Sequence, residues 1–328
     1  MIVDLHTHYI PPAYLEWVGK KNNPLGVRLD KLPSGRPALA ADNRLIPLLD
    51  GFHDVEVKLA DIRKQGLDRQ VVSPPPFLFH YDLPAQVGAE SSRLLNDEAA
   101  ALQRRHPDRF VAMATVPLQD PEAAAAELER VHGLGMRSVE IGARAGERDL
   151  DHPSLAPFWA AAERLGMLVC IHPVSPPGRE RMKEYYLFNL IGFLVDTTVA
   201  AGRLIFAGVL DRFPGLRICL AHAGGMAVWI QGRFDHGFRV LHQCQGVIHR
   251  PPSEYLKGMF FDTITHRPEA VRYIADAVGA DRLLMGTDYP FAVKESDPVG
   301  FVASVPGLTE EERAAIRGGT ACRLLGIG

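Results

Sequence analysis

The sequence has no apolar run long enough to cross a bilayer. The longest, LFNLIGFLV at 187–195, is about half of the roughly 20 residues a span requires. It also lacks an excess of charge of either sign. With 36 Lys and Arg against 39 Asp and Glu the net charge is −3, which removes the electrostatic case for nucleic acid or an anionic membrane surface. Cysteine is scarce: Cys170, Cys219, Cys244 and Cys322 are scattered, with no CxxC pair. The first two fall inside strand-like runs and read as small buried hydrophobes. The N-terminal segment places Asp4 and two histidines where a secretory leader would carry basic residues and a long apolar stretch, so a cytoplasmic location is expected. No repeat, linker or low-complexity stretch divides the 328 residues, which are read as one domain, 1–328.

What is present is a regular alternation. Eight short β-branched runs occur at 2–8, 69–75, 109–117, 136–143, 167–173, 216–222, 259–264 and 282–290. Most are continuously apolar, as strands buried on both faces of a parallel sheet should be. Helical patterns separate them. DPEAAAAELERVHGLG has Asp120 as N-cap and Pro121 in its first turn. TEEERAAIRGGTACRLLG opens with a capping box, Thr309 to Glu312, and should close the chain over the barrel. Eight strands with intervening helices predict an α/β fold, a (β/α)8 TIM barrel. A doubly wound sheet is the alternative, but it gives no reason for the number eight. Residues 11–50 hold six prolines and no clear helix, and read as a small insertion after strand 1. A second irregular stretch, 173–185, reads as a loop above the fifth strand.

The opening IVDLHTH spaces His6 and His8 two residues apart. On a helix they would point roughly 200° apart; on a strand they share a face. At the C-terminal end of a first barrel strand both point inward, a natural pair of ligands for a borderline divalent metal. His172, His222 and Asp288 each end another apolar run, at the edge where this fold keeps its chemistry. Any one of them could be a cap or a satisfied core group; five together predict a metal site. His6, His8, His172 and Asp288 would hold one divalent metal with a position left open. His222 then remains as a neighbouring acid/base. Gly224 and Gly225 behind it would either let backbone approach the substrate or form a tight turn into the next helix.

These residues resemble a known group. HxH on the first strand, HP after the fifth, AHAGG after the sixth and GTDYPF after the eighth are similar to the amidohydrolase superfamily. Closer still is its branch of metal-dependent decarboxylases typified by aminocarboxymuconate-semialdehyde decarboxylase. FWAAAERLG, DRFPGLRICLAHAGG and GRFDHGF extend the likeness over nearly the whole chain. The resemblance implies the barrel, the four ligands, zinc with manganese as the alternative ion, and His222 and Asp288 as catalytic groups. It also implies a homodimer with the GRFDHGF helix near the interface, Trp229, Phe234 and Phe238 being compatible apolar neighbours.

The chain departs from that branch where the substrate is gripped. Two family arginines fall on Leu49 and Leu241, with Arg44 and Arg239 nearby but out of register, and the family's tryptophan falls on Asn189. Phe291, which lines the pocket in relatives, is present. Arg144 could clamp a carboxylate or be a solvated loop arginine, as could Arg179 and Arg181. Glu140 lies within an apolar strand, where it needs a partner: Arg137, a ligand histidine or, as in dinuclear relatives, two metals. His152 reads as a helix-start residue, and Asp262 could orient His222. The expected activity is non-oxidative decarboxylation of an aromatic acid or ring-cleavage product, a small-molecule carboxylate. The alternatives are metal-dependent hydrolysis of an amide, lactone or C–C bond, and a barrel that only binds a metal or metabolite.

Overall fold

The computed structural model describes residues 1–41 and 44–328. Each of the eight apolar runs contains a strand: β1 (Val3–His8), β2 (Arg69–Ser73), β3 (Phe110–Ala112), β4 (Ser138–Gly142), β5 (Leu168–His172), β6 (Arg217–Leu220), β7 (Phe260–Asp262) and β8 (Leu283–Leu284). Ladder neighbours run parallel in the order β1–β2–β3 and β4–β5–β6–β7–β8. Backbone hydrogen bonds join the two sheets at both seams. The amide of Ala114 donates to Ser138 and that of Glu140 to Ala114, at 3.0 and 2.8 Å. On the other side Leu5 donates to Met285, and His8 to Tyr289, at 2.8 and 2.7 Å. The sheet thus closes into the predicted (β/α)8 barrel.

Apolar side chains fill the barrel below the mouth. Val3, Leu5, Val71, Met113, Leu168 and Leu284 pack there with Cys170 and Cys219, and the last helix, Thr320–Leu325, packs beneath them. Both cysteines are buried, as expected, and all four are free. Asp120 caps its helix by accepting from Ala123, and the Thr309–Glu312 capping box forms.

The insertion has more structure than its prolines suggested. Pro12–Val18 is a helix, with Pro12 in the first turn where its missing N–H costs nothing. Strands Arg28–Lys31, Pro37–Ala41 and Arg44–Pro47 pair antiparallel. Ile10, Tyr14, Leu25, Leu39 and Phe52 form a separate apolar cluster that reaches Phe291 above β8, so the insertion walls one side of the mouth.

Across the mouth runs a continuous helical stretch, Phe188–Phe206, whose first turn is a π-helix. It extends well beyond the longest apolar run of the sequence, and by length and hydropathy alone it would suffice to cross a bilayer. Its Asp196 carboxylate, however, accepts from the amides of Val174 and Ser175 in the β5 loop, and Phe206 packs on Phe234. The stretch is therefore knitted into the barrel.

Candidate active site

All five residues picked out at the strand ends meet at the barrel mouth. The ring centroids of His6 and His8 are 5.1 Å apart, those of His6 and His172 5.1 Å, and those of His172 and His222 5.0 Å. Asp288 lies among them: Oδ1 is 3.1 Å from His8 Nε2 and Oδ2 is 3.6 Å from His222 Nε2. β1, with a local irregularity between Asp4 and Thr7, brings both of its histidines to the mouth.

The ring nitrogens show what the cluster can hold. His6 Nδ1–H donates to Asp262 Oδ2 at 2.8 Å, and His172 Nδ1–H to the carbonyl of Pro173 at 2.8 Å. Each ring thereby turns Nε2 into the cluster as the nitrogen a cation would meet, and in both rings Nε2 is buried with no hydrogen-bond partner among the described residues. Two orphaned imidazole nitrogens beside a carboxylate are the donors a divalent cation needs. The site fits a metal ion.

Charge agrees with that fit. Burial opposes a charged His6, but Asp262, Asp288 and Glu140 outweigh it and raise the ring to about 10. In the metal-free chain a proton on His6 thus supplies positive charge that a cation would otherwise bring. Burial lowers His8 to about 4, and holds His172 well below its ordinary value with help from the neighbouring rings. Burial would raise Asp288, but the close imidazole of His222 and a hydrogen bond from His8 hold it well below the carboxylate range. Glu140 is pushed up to about 7 by burial. Its oxygens lie 3.9 Å from His8 Nδ1 and 4.0 Å from His6 Nε2, whereas Arg137 turns away to the carbonyls of His132 and Met136. Glu140's neighbours are therefore the histidines.

Two adjoining cavities of about 440 and 520 Å³ share Asn189, Phe193 and Asp288 in their walls. The smaller lies over His222; the larger contains Arg44, Arg144 and Phe291. Phe291 stands edge-on to His8 with centroids 5.2 Å apart. Arg144 reaches the larger cavity while donating to the carbonyl of Glu147 at 3.0 Å. Arg44 and Arg179 flank the ring of Phe188 at 5.5 and 6.0 Å. Leu49 is in the insertion's apolar cluster, while Leu241 and Arg239 are on the surface with Arg181. His152 caps a short turn at Pro153–Leu155. Gly224 and Gly225 form a tight turn, with positive φ and their open sides against Phe261 and Leu194.

Three features escaped sequence reasoning. Arg44 reaches the cavity although it is out of register with the family arginine. Phe193 stacks at 10° on His222, but within an apolar run nothing marks it. Lys58 is wholly buried beneath the site; its one signal is a lysine between the apolar positions of VEVKLADI.

An amidohydrolase family model matches residues 3–327. The chain belongs to the amidohydrolase family. Among curated relatives of this amidohydrolase, 2-amino-3-carboxymuconate-6-semialdehyde decarboxylase of Dictyostelium discoideum is 31% identical over 328 residues, covering 99% of this chain and 91% of the relative. Gamma-resorcylate decarboxylase of Rhizobium radiobacter is 31% identical over 265 residues, covering 74% and 78%. A solved dihydroxybenzoic acid decarboxylase from Polaromonas sp. JS666, with bound manganese and 2-nitroresorcinol, shares the fold with a TM-score of 0.78. That structure is 24% identical, with 99% of this chain and 96% of the other covered.

Proposed function

We propose that this amidohydrolase is a metal-dependent, non-oxidative decarboxylase of an aromatic acid or of an aromatic ring-cleavage product. The observation that carries the reading is the pair of orphaned Nε2 atoms on His6 and His172, set around Asp288 with His222 in the same cluster, while His8 joins His6 and Glu140 in an overlapping one. His6, His8, His172 and Asp288 would hold one divalent ion, zinc first and manganese second. That ion would supply Lewis acidity, activating a water or chelating the substrate's oxygens.

The chain's own groups carry the remaining work. His222 is only about 10% exposed, its Nδ1 has no hydrogen-bond partner among the described residues, and it faces the smaller cavity. From there it delivers a proton to the carbon bearing the carboxylate. The C–C bond then breaks, its electron pair returns to the carbon skeleton, and carbon dioxide leaves. Asp288 acts beside it, 3.6 Å from His222 Nε2. Phe291, Asn189 and Arg144 line the space for the substrate ring and its polar groups. The test is carbon dioxide release from substituted benzoates, 2,6-dihydroxybenzoate among them, with metal content measured on the same preparation. Release dependent on about one metal atom per chain supports the reading; turnover without carbon dioxide replaces it with hydrolysis.

We also propose that the chain works as one cytoplasmic domain and as a homodimer. Supporting the dimer, Trp229, Leu190 and Ile191 expose 73%, 53% and 48% of their surface near the mouth. Phe234 and Phe238 face the barrel instead.

A further inference from the structure

We infer that Asp262 is a positioning residue that ties the metal-binding half of the site to its acid/base half. The inference rests on the metal reading above. All its parts lie in one carboxylate, 1% exposed at the end of β7. Oδ2 accepts from His6 Nδ1 at 2.8 Å and from the backbone amide of His222 at 2.8 Å. Oδ1 accepts from the amides of Ala223 and Ile264 at 2.7 and 3.0 Å. The sequence suggested that Asp262 orients His222. It does so through the backbone, and the imidazole it touches belongs to His6.

Two consequences follow from a carboxylate being an acceptor only. First, it holds a proton on His6 Nδ1 and so leaves Nε2 as the nitrogen whose lone pair a bound cation would take. Second, it gathers consecutive amides of a turn that would not otherwise be favoured. His222 and Ala223 have φ of 52° and 55°, left-handed values uncommon for residues other than glycine, and Gly224 and Gly225 continue the run at 72° and 62°. With two amides of that turn anchored, the His222 ring stands with its centroid 5.5 Å from that of His6. The ligand's lone pair and the place of the acid/base therefore depend on the same group.

Asp262→Asn tests this with little change of shape. The amide oxygen can satisfy only one side. Ala223 and Ile264 both present backbone N–H groups, so the oxygen belongs there. The new NH2 then faces His222's amide, another donor, and His6 Nδ1, which must give up its proton and carry it on Nε2. Outer partners of metal-ligating histidines contribute about 10–100-fold in affinity. The experiment titrates Mn2+ or Zn2+ alone into metal-free wild type and D262N, in competition with a chelating dye. Amide hydrogen exchange at His222 and Ala223 is followed in parallel. The expected result is metal binding weakened about 10–100-fold, faster exchange at His222 and unchanged protection at Ala223. Equal affinity for the two proteins, within a factor of about two, would overturn the inference while leaving the metal reading intact. A wild type that binds neither ion would overturn that reading and this inference with it. Should D262N fail to fold, 15N spectra of the zinc-loaded wild type decide: coordination of His6 through Nε2 with a hydrogen-bonded Nδ1–H supports the inference, and coordination through Nδ1 refutes it.

Discussion

Lys58 Nζ donates to the carbonyl oxygen of His8 at 2.9 Å from a position with no exposed surface. It also donates to the carbonyl of Gly51 at 3.3 Å and lies 4.7 Å from the centre of the Tyr289 ring. One side chain thus fastens the end of β1, the edge of the insertion and the residue after Asp288. Burial lowers its ammonium to about 7, against the pull of Asp4 and Asp61. Replacing it by methionine keeps the stem but leaves two buried carbonyls without this donor. At about 1–3 kcal/mol for each buried group left unsatisfied, Lys58→Met should cost on the order of 2–6 kcal/mol in a denaturant titration. A loss below about 1 kcal/mol would mean that water or neighbouring donors replace it.

Metal binding and catalysis should separate in two variants that preserve backbone shape. His222 and Asp288 both have positive φ, 52° and 64°, which asparagine tolerates better than most residues. His222→Asn should retain about one metal atom per chain and lose turnover by about 10²–10⁴-fold, the usual contribution of a positioned acid/base. Asp288→Asn should lose both, because it removes the anionic donor. Elemental analysis beside a carbon dioxide assay checks the pair. If His222→Asn also lost its metal, His222 would be a ligand and the division of roles would be wrong.

The barrel and the donors were readable because both follow simple periodicities. Apolar runs marked all eight strands, and the period of two brought His6 and His8 to the same mouth. His172, His222 and Asp288 were readable from their place at run ends alone. What was not readable depended on contacts across the chain. Asp262 could be seen as polar at a strand end, but that it serves His6 follows from β1 and β7 meeting through residues 256 positions apart. Lys58 lies on an ordinary amphipathic helix, and only the packing of the insertion buries it. The helix at Pro12–Val18 was hidden because its prolines fall at a start position, where proline favours a helix, and beyond its ends, where proline is neutral.

Asp4 predicts a pH dependence. It is wholly buried below the ligands, and burial raises its carboxyl from 3.8 to about 7 despite hydrogen bonds from Thr287 and the His6 amide. Between about pH 4 and 7 the folded chain keeps a proton that the unfolded chain releases, so this group's contribution to stability falls as pH rises through that window. Asp4→Asn has no such proton. Its amide oxygen can still accept from His6 and Thr287, and its NH2 can donate to the Thr287 hydroxyl. The metal-free variant should therefore match wild type near pH 4 and gain on it toward pH 7, by at most about 1.4 kcal/mol per unit, before levelling off. Urea titrations across that range measure the gap. A gap that stayed constant, or narrowed with rising pH, would show that Asp4 is ionised throughout.

The last prediction concerns the exposed face beside the mouth. Trp229 lies edge-tilted against Tyr273, with ring centroids 5.3 Å apart, yet it leaves 73% of its surface open. Leu190, Met226 and Tyr273, with 53%, 37% and 39% exposed, line the same cavity rim. An isolated exposed leucine needs no explanation, but several large apolar groups around one rim are typical of an interface. Aromatic residues are also those that most often anchor one. If a second copy of the chain covers this face, Trp229→Glu places a charge in the contact and should shift the protein from dimer toward monomer at micromolar concentration in sedimentation velocity. The barrel itself should be untouched, since Trp229 contributes little to the core, and the variant should melt close to wild type once both are compared as monomers. A wild type that sediments as a monomer at the same concentration would remove the dimer. A dimer unaffected by Trp229→Glu would move the contact to another face, away from the cavity over His222.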